Sequence, residues 1–157
     1  PEERAIALKF LLNLVSDIHQ PLRVADENDS HGMQARVATS TMTPGDLFTF
    51  WDKVLTIELN VDASALTKKL LSEISEADLK QWSGGTPDIW VLEAHRLGVD
   101  QAYGMLGASD GKGNSIISDP DVAKAAQIAA TQLSRAGVRL AFVLNEALAP
   151  KGVDHLN

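Results

Sequence analysis

"LLNLVSDIHQPLR", residues 11–23, decides how the chain is read. Leu11, Leu12, Leu14, Val15 and Ile18 recur at spacings that a helix buries, and Ile6, Leu8 and Phe10 extend the pattern upstream. Apolar residues then cover nearly every face, which predicts a helix over residues 1–19 lying in the middle of a domain. The residue before Pro21 is pushed out of the α region, so this helix should end near His19. Asn13 and Asp17 stand i, i+4 and share one helix face, while Pro21 turns the chain and brings Arg23 round the corner. Two helix-borne metal ligands need that spacing. Zinc, however, takes imidazole, thiolate or carboxylate, and of these three positions only Asp17 supplies one.

Helix signals dominate outward from this stretch, and no run alternates with a period of two, so the chain reads as all-α and no sheet of three or more strands is expected. Thr43 and Pro44 look like an N-cap with Pro at the first helical position, leading into Leu47, Phe50, Trp51, Val54 and Leu55 at helical spacing. Asp62 caps a shorter helix with Leu66, Leu70 and Leu71, and Ser75 opens another that stops at Gly84 and Gly85. Thr86 with Pro87 starts a helix over residues 88–106, and a Gly-rich loop, "GASDGKGNS", follows from Gly107. Asp119 with Pro120 launches the helix expected to be longest, over residues 119–149. The polar stretch between Val24 and Met42 is too long for an ordinary turn, which marks it as functional or mobile.

At 157 residues and 45% hydrophobic composition the chain fits one helical domain, residues 1–157, with a packed core. Its formal charge of -7 repels nucleic acid and anionic membrane unless a local metal or Arg intervenes. The absence of cysteine excludes disulfides and thiolate metal sites. No apolar run approaches a membrane span, so no membrane partner is expected. The chain starts at Pro1, already inside a helical pattern, and is expected to be the C-terminal part of a longer chain. In that case an apolar face of the first or last helix should be uncovered unless a second chain lies on it.

"ALKFLLNLVSDIHQPLR", then "DSHGMQARV" and "GDLFTFWD", resemble in order the zinc-dependent single-strand-specific nucleases of the S-one/P-one type. "WVLEAHRLGVDQAY" and "QLSRAGVRLAFVLN" resemble the same family's later helices. The resemblance implies a phospholipase C-like helical fold, a three-zinc cluster, and hydrolysis of phosphodiester bonds in single-stranded nucleic acid and 3'-nucleotides. It also implies a secreted or periplasmic location. In such a cluster the metals lower the pKa of a bound water and neutralise the phosphoryl oxygens.

Carried over position by position, Asp17 matches the metal-bridging, catalytic Asp, and Asp52 matches the Asp of a Trp-Asp motif. Asn13, Arg23 and Phe48 stand where the family has His ligands. Met33 replaces the Asn of a Gly-Gly-Asn motif, and His31 replaces its first Gly. A neutral amide, a permanent cation and a bare ring are poor substitutes for three imidazoles. Arg23 is therefore expected to take the cation's role, pairing with Asp52 directly or through one water, with the Phe48 ring packed on its guanidinium. His19 reads as an exposed helix-end residue favouring the dipole. His31 reads as a solvated or relocated ligand, and His95 and His155 as surface residues. Three readings stay open: a family member that has lost most of its metal site, a hydrolase with a rebuilt site drawing on Asp17, Asp52, His19 or His31, and a binding module using the old cleft.

Overall fold

The computed structural model describes residues 2–59 and 62–149. Its longest helix, α6 (Asp119–Leu148), runs for 30 residues as expected. Buried Ala125 and Ala126 carry so little side chain that α2 (Leu47–Leu59) lies close against this helix, with Phe50 and Trp51 in the same core cluster. Leu47, Phe50, Trp51, Val54 and Leu55 are all buried, so the apolar spacing read from the sequence is the core face of α2. Each such side chain stabilises the fold by about 1.5–3 kcal/mol. Leu66 and Leu70 of α3 (Ala63–Glu73) extend the cluster. A reciprocal Ser75–Asp78 capping box starts α4 (Glu76–Trp82).

The first helix departs from expectation. α1 (Glu2–Asp17) is not a central helix: its one buried side chain is Val15, while Phe10 is 64% and Leu14 57% exposed. Its extensive neighbour is α6, so its other apolar faces are uncovered by the described residues.

Two expected helix starts also shift. Thr43 and Pro44 precede a two-residue strand, and α2 begins at Leu47, where the Asp46 carboxylate accepts from the Thr49 N–H at 2.7 Å. Ser118, not Asp119, caps α6. The helix expected over residues 88–106 is α5 (Pro87–Leu97) followed by a π-helical turn, Gly98–Tyr103. A Cβ on Gly98 would lie 2.4 Å from Ala25 Cβ and 2.8 Å from the Pro21 carbonyl oxygen. Only glycine lets α5 approach the corner after α1 so closely.

A three-stranded sheet, against expectation, joins β2 (Gly45–Asp46), β1 (Arg36–Ala38) and β3 (Ser115–Ile116) in that order. β1 is antiparallel to β2 and parallel to β3. Strands of three, two and two residues are too short to show alternation, which is why no sequence pattern marked them. Among the described residues six α-helices carry the fold, which is all-α in architecture. Among the described residues, no helix is long and apolar enough to cross a membrane.

Candidate functional site at the end of the first helix

α1 ends on Asp17, a negative charge at the negative end of a helix that has no basic residue in its last turn. That placement costs about 0.3–1 kcal/mol unless a cation answers it. The cation comes from the turn that Pro21 starts. Gln20 caps the 3-10 turn Pro21–Arg23, its side-chain oxygen accepting from the Leu22 and Arg23 N–H groups. Arg23 is thereby swung back, and its Nε lies 3.2 Å from Asp17 Oδ1.

Phe48 completes the arrangement. The Arg23 guanidinium carbon sits 5.3 Å from the centre of its ring, a cation–π contact worth about 0.5–1 kcal/mol at an exposed site. The ring contact is as expected and the ion pair is not: Arg23 pairs with Asp17, whereas Asp52 accepts from Gln20 Nε2 at 3.1 Å. Gln20 therefore holds the turn with one end of its amide and Asp52 with the other.

Asp17, Arg23, His31, Met33 and Phe48 line one cleft of about 370 Å³. Asp52 lines a different recess beyond Gln20, and the exposed Asn13 turns its amide back to donate to the Lys9 carbonyl at 2.9 Å. Of the five positions where the resemblance implies metal ligands, Asp17, Arg23 and Phe48 are thus gathered, and Asn13 and Asp52 are not. His31 reaches the cleft from a loop in which Asn28, Ser30 and His31 all have φ near +60°. Non-glycine residues there cost roughly 1–2 kcal/mol each, so the loop needs anchors. Asp26 accepts from the His31 N–H at 3.0 Å, an interaction that with the Asp29 N–H holds its carboxyl below the usual range. Asp29 accepts from Gly32 N–H and from the Tyr103 hydroxyl, at 2.8 and 2.7 Å. Burial, with that bond to Asp29, raises the Tyr103 phenol pKa and keeps it a donor. The stretch between Val24 and Met42 is thus a loop anchored around His31, followed by β1.

Tyr103→Phe is expected to destabilise the fold by about 1.5 kcal/mol, since the bond lost is to a charged acceptor. Urea unfolding checks this, and a change within error would show that the loop holds itself.

The sequence reading missed a second cluster. His19 is buried, at 2% exposure, not a surface residue. Its Nδ1 lies 2.7 Å from the Val15 carbonyl and its Nε2 2.9 Å from Arg139, whose other terminal nitrogen is 2.6 Å from Glu93. Arg139 can only donate, so Nε2 is the acceptor and the neutral ring carries its proton on Nδ1. Burial is the main cause lowering the His19 pKa, and Arg139 adds to it. The guanidinium also lies 5.1 Å from the Trp90 ring, and Gln132 Nε2 donates to the His19 carbonyl at 3.2 Å. His19 is thus a joint between α1, α5 and α6. The Glu93 and Arg139 positions inside the two later motifs were the available signal. His95 is exposed as expected, and His155 lies outside the described residues.

The profile described as S1/P1 Nuclease matches residues 1–149. The chain belongs to the S1/P1 nuclease family. Endonuclease 2 of Arabidopsis thaliana is 29% identical to it over 153 residues, which cover 88% of this chain and 50% of that protein. The chain thus spans about half the length of the curated relative it matches.

S1/P1 nucleases are zinc-dependent in general, and at three positions where the resemblance implies ligands the side chains present are poor donors for zinc. Asn13 donates within its own helix, Arg23 adds a permanent charge against Asp17, and Phe48 has no donor atom. Among the described residues, no group of three or more His, Asp or Glu converges as a metal site would require.

Proposed function

We propose that this chain is an S1/P1-family domain that binds single-stranded nucleic acid or nucleotides in the cleft at Arg23 and does not hydrolyse them through a zinc cluster of its own residues. The observation that supports this is the Arg23 contact to both Asp17 and Phe48, which puts a protein cation among the former ligand positions. Asp17 meets Nε at 3.2 Å, and the half-exposed guanidinium would offer its terminal nitrogens to phosphate oxygens in a fork. Exposed Met33 and half-buried Phe48 offer apolar surface to a base. With a net charge of -7 on the chain, this local cation is what a phosphate would find. A secreted or periplasmic location belongs to the same family reading.

Assay of single-stranded DNA with zinc present is expected to give weak or no hydrolysis. Fluorescence anisotropy should instead give salt-dependent binding, weakened about tenfold, or ~1.4 kcal/mol, by Arg23→Gln. Turnover abolished both by chelator and by Asp17→Asn would overturn the proposal and make the domain a hydrolase. A second reading has one observation behind it: His31 Nδ1 lies 3.0 Å from the Ala25 carbonyl, the kind of contact that orients metal-binding imidazoles, and His31 shares the cleft with Asp17. Chelator-sensitive turnover lost in His31→Ala would select that rebuilt site.

A further inference from the structure

A groove of about 710 Å³ is bordered by α3, α4 and the second half of α6, a volume within the roughly 300–1,000 Å³ of small-molecule sites. Leu71, Leu79, Leu133 and Phe142 are all exposed along it. Single exposed apolar side chains are ordinary, whereas four gathered in one hollow mark a binding surface.

Polar groups in the groove are sparse, and its charge has one sign. Lys80, in the last turn of α4, is the one charged side chain among the described residues that line it, and it makes no ion pair among them. The Thr67 hydroxyl is turned back to the Ala63 carbonyl at 2.7 Å. On a chain of formal charge -7, an apolar hollow lined by a cation and no carboxylate is a local exception to the field of the whole molecule.

Gly137 is a second, independent observation. It lies on the groove wall inside α6, where glycine is among the least favourable residues. Gly98 is explained by its close neighbours, but a Cβ built on Gly137 would meet nothing within 4 Å. An occupant lying along this wall would supply the missing reason. A second copy of the chain fits poorly, since a two-fold axis would set hollow against hollow. An extended peptide would find helices on every side and no strand edge to pair its backbone. An acyl chain has no backbone groups to satisfy.

We infer that this groove is a binding site for an anionic amphiphile, an unbranched acyl chain ending in a carboxylate. The chain lies along Leu71, Leu79, Gly137 and Phe142, and the flexible Lys80 ammonium meets the head group. The inference is independent of the proposed function, because the groove shares no residue with the Arg23 cleft.

Titration of the full chain with dodecanoate below its micelle threshold, followed in a nitrogen-15 correlation spectrum, tests this. The backbone signals of Leu71, Leu79, Gly137 and Phe142 are expected to shift together and saturably, while those of Arg23 and Phe48 stay in place. Lys80→Met should weaken dodecanoate by about two- to fivefold, the range of an exposed ion pair, and leave dodecanol, the same chain without the charge, unchanged. Gly137→Leu fills open space and raises helix propensity, so it should fold and weaken dodecanoate by about tenfold or more. Leu71→Glu, at a position 64% exposed, should weaken it by placing a like charge in the wall. Dodecanoate that shifts none of the groove signals would overturn the inference, and so would undiminished binding in both blocking variants with otherwise natural spectra. Equal binding of dodecanoate and dodecanol, unaffected by Lys80→Met, would refute the anionic head group and with it the ligand class. A sedimentation mass that doubles with concentration, with groove signals that move on dilution and not with dodecanoate, would give the groove to a second copy and overturn the inference as well.

Discussion

Replacing Glu93 by alanine is expected to destabilise the domain by roughly 3–5 kcal/mol, and replacing Arg139 by methionine by only about 1–2 kcal/mol. The ordering follows from exposure. In the Glu93–Arg139 pair the arginine side chain is 4% exposed and the glutamate 37%. Removing Glu93 leaves a guanidinium that cannot lose its proton buried without its counter-charge, and its Nε already has no acceptor among the described residues. Removing Arg139 leaves Glu93 able to turn to water, and a methionine keeps contact with Trp90. The remaining penalty is His19 Nε2, which loses its donor. The double variant should resemble Arg139→Met and not the sum of the two changes, because once the cation is gone the carboxylate has nothing to neutralise. Urea unfolding of the three variants decides this. Equal losses, or a larger loss for Arg139→Met, would mean that the pair holds the α1–α5–α6 joint by geometry and not by charge.

What the sequence could reveal of this joint was limited by distance along the chain. His19 and Arg139 are 120 residues apart, and no local pattern says that one caps the ring of the other. For the same reason α1 was misjudged: apolar residues on every face show that a helix can be covered all round, not what covers it. Phe10 and Leu14 are exposed because the described elements supply essentially one neighbour. By contrast, the spacing of Leu47, Phe50, Trp51, Val54 and Leu55 is a local property of one helix, and every one of them is buried. The π-helical turn after α5 has no periodic mark in the sequence; it begins at Gly98, packed against the Pro21 corner, ends on Tyr103 and reaches the His31 loop. In the site itself the motif order carried the meeting of Arg23 with Phe48, whereas the choice between Asp17 and Asp52 depended on Gln20. Gln20 was read only as part of a motif, and its hydrogen bonds to both sides are set by three dimensions.

The Arg23 arrangement makes a strong prediction about metal. If a guanidinium has replaced zinc, returning imidazoles to two of the lost positions should bring zinc back. In the double variant Arg23→His, Phe48→His, two neutral nitrogen ligands would join Asp17, with the permanent charge that now opposes a cation removed. A ligand that binds only the folded state stabilises it by about 2.7 kcal/mol at a hundred times its Kd, which for a domain of this size raises Tm by roughly 5–10 °C. That shift is expected for the double variant with zinc added. It should vanish on addition of chelator and on further change of Asp17 to Asn, and the natural chain should shift by no more than a degree or so, by the same size scaling. Arg23→His alone should fall between, since one imidazole and one carboxylate make an incomplete tetrahedral set. A natural chain that shifts as far as the variant would mean that Arg23 swings aside for the metal and that the ion pair with Asp17 is a resting arrangement. A double variant that does not shift would mean that Asn13, held to the Lys9 carbonyl on its own helix, was the ligand without which the cleft cannot gather zinc.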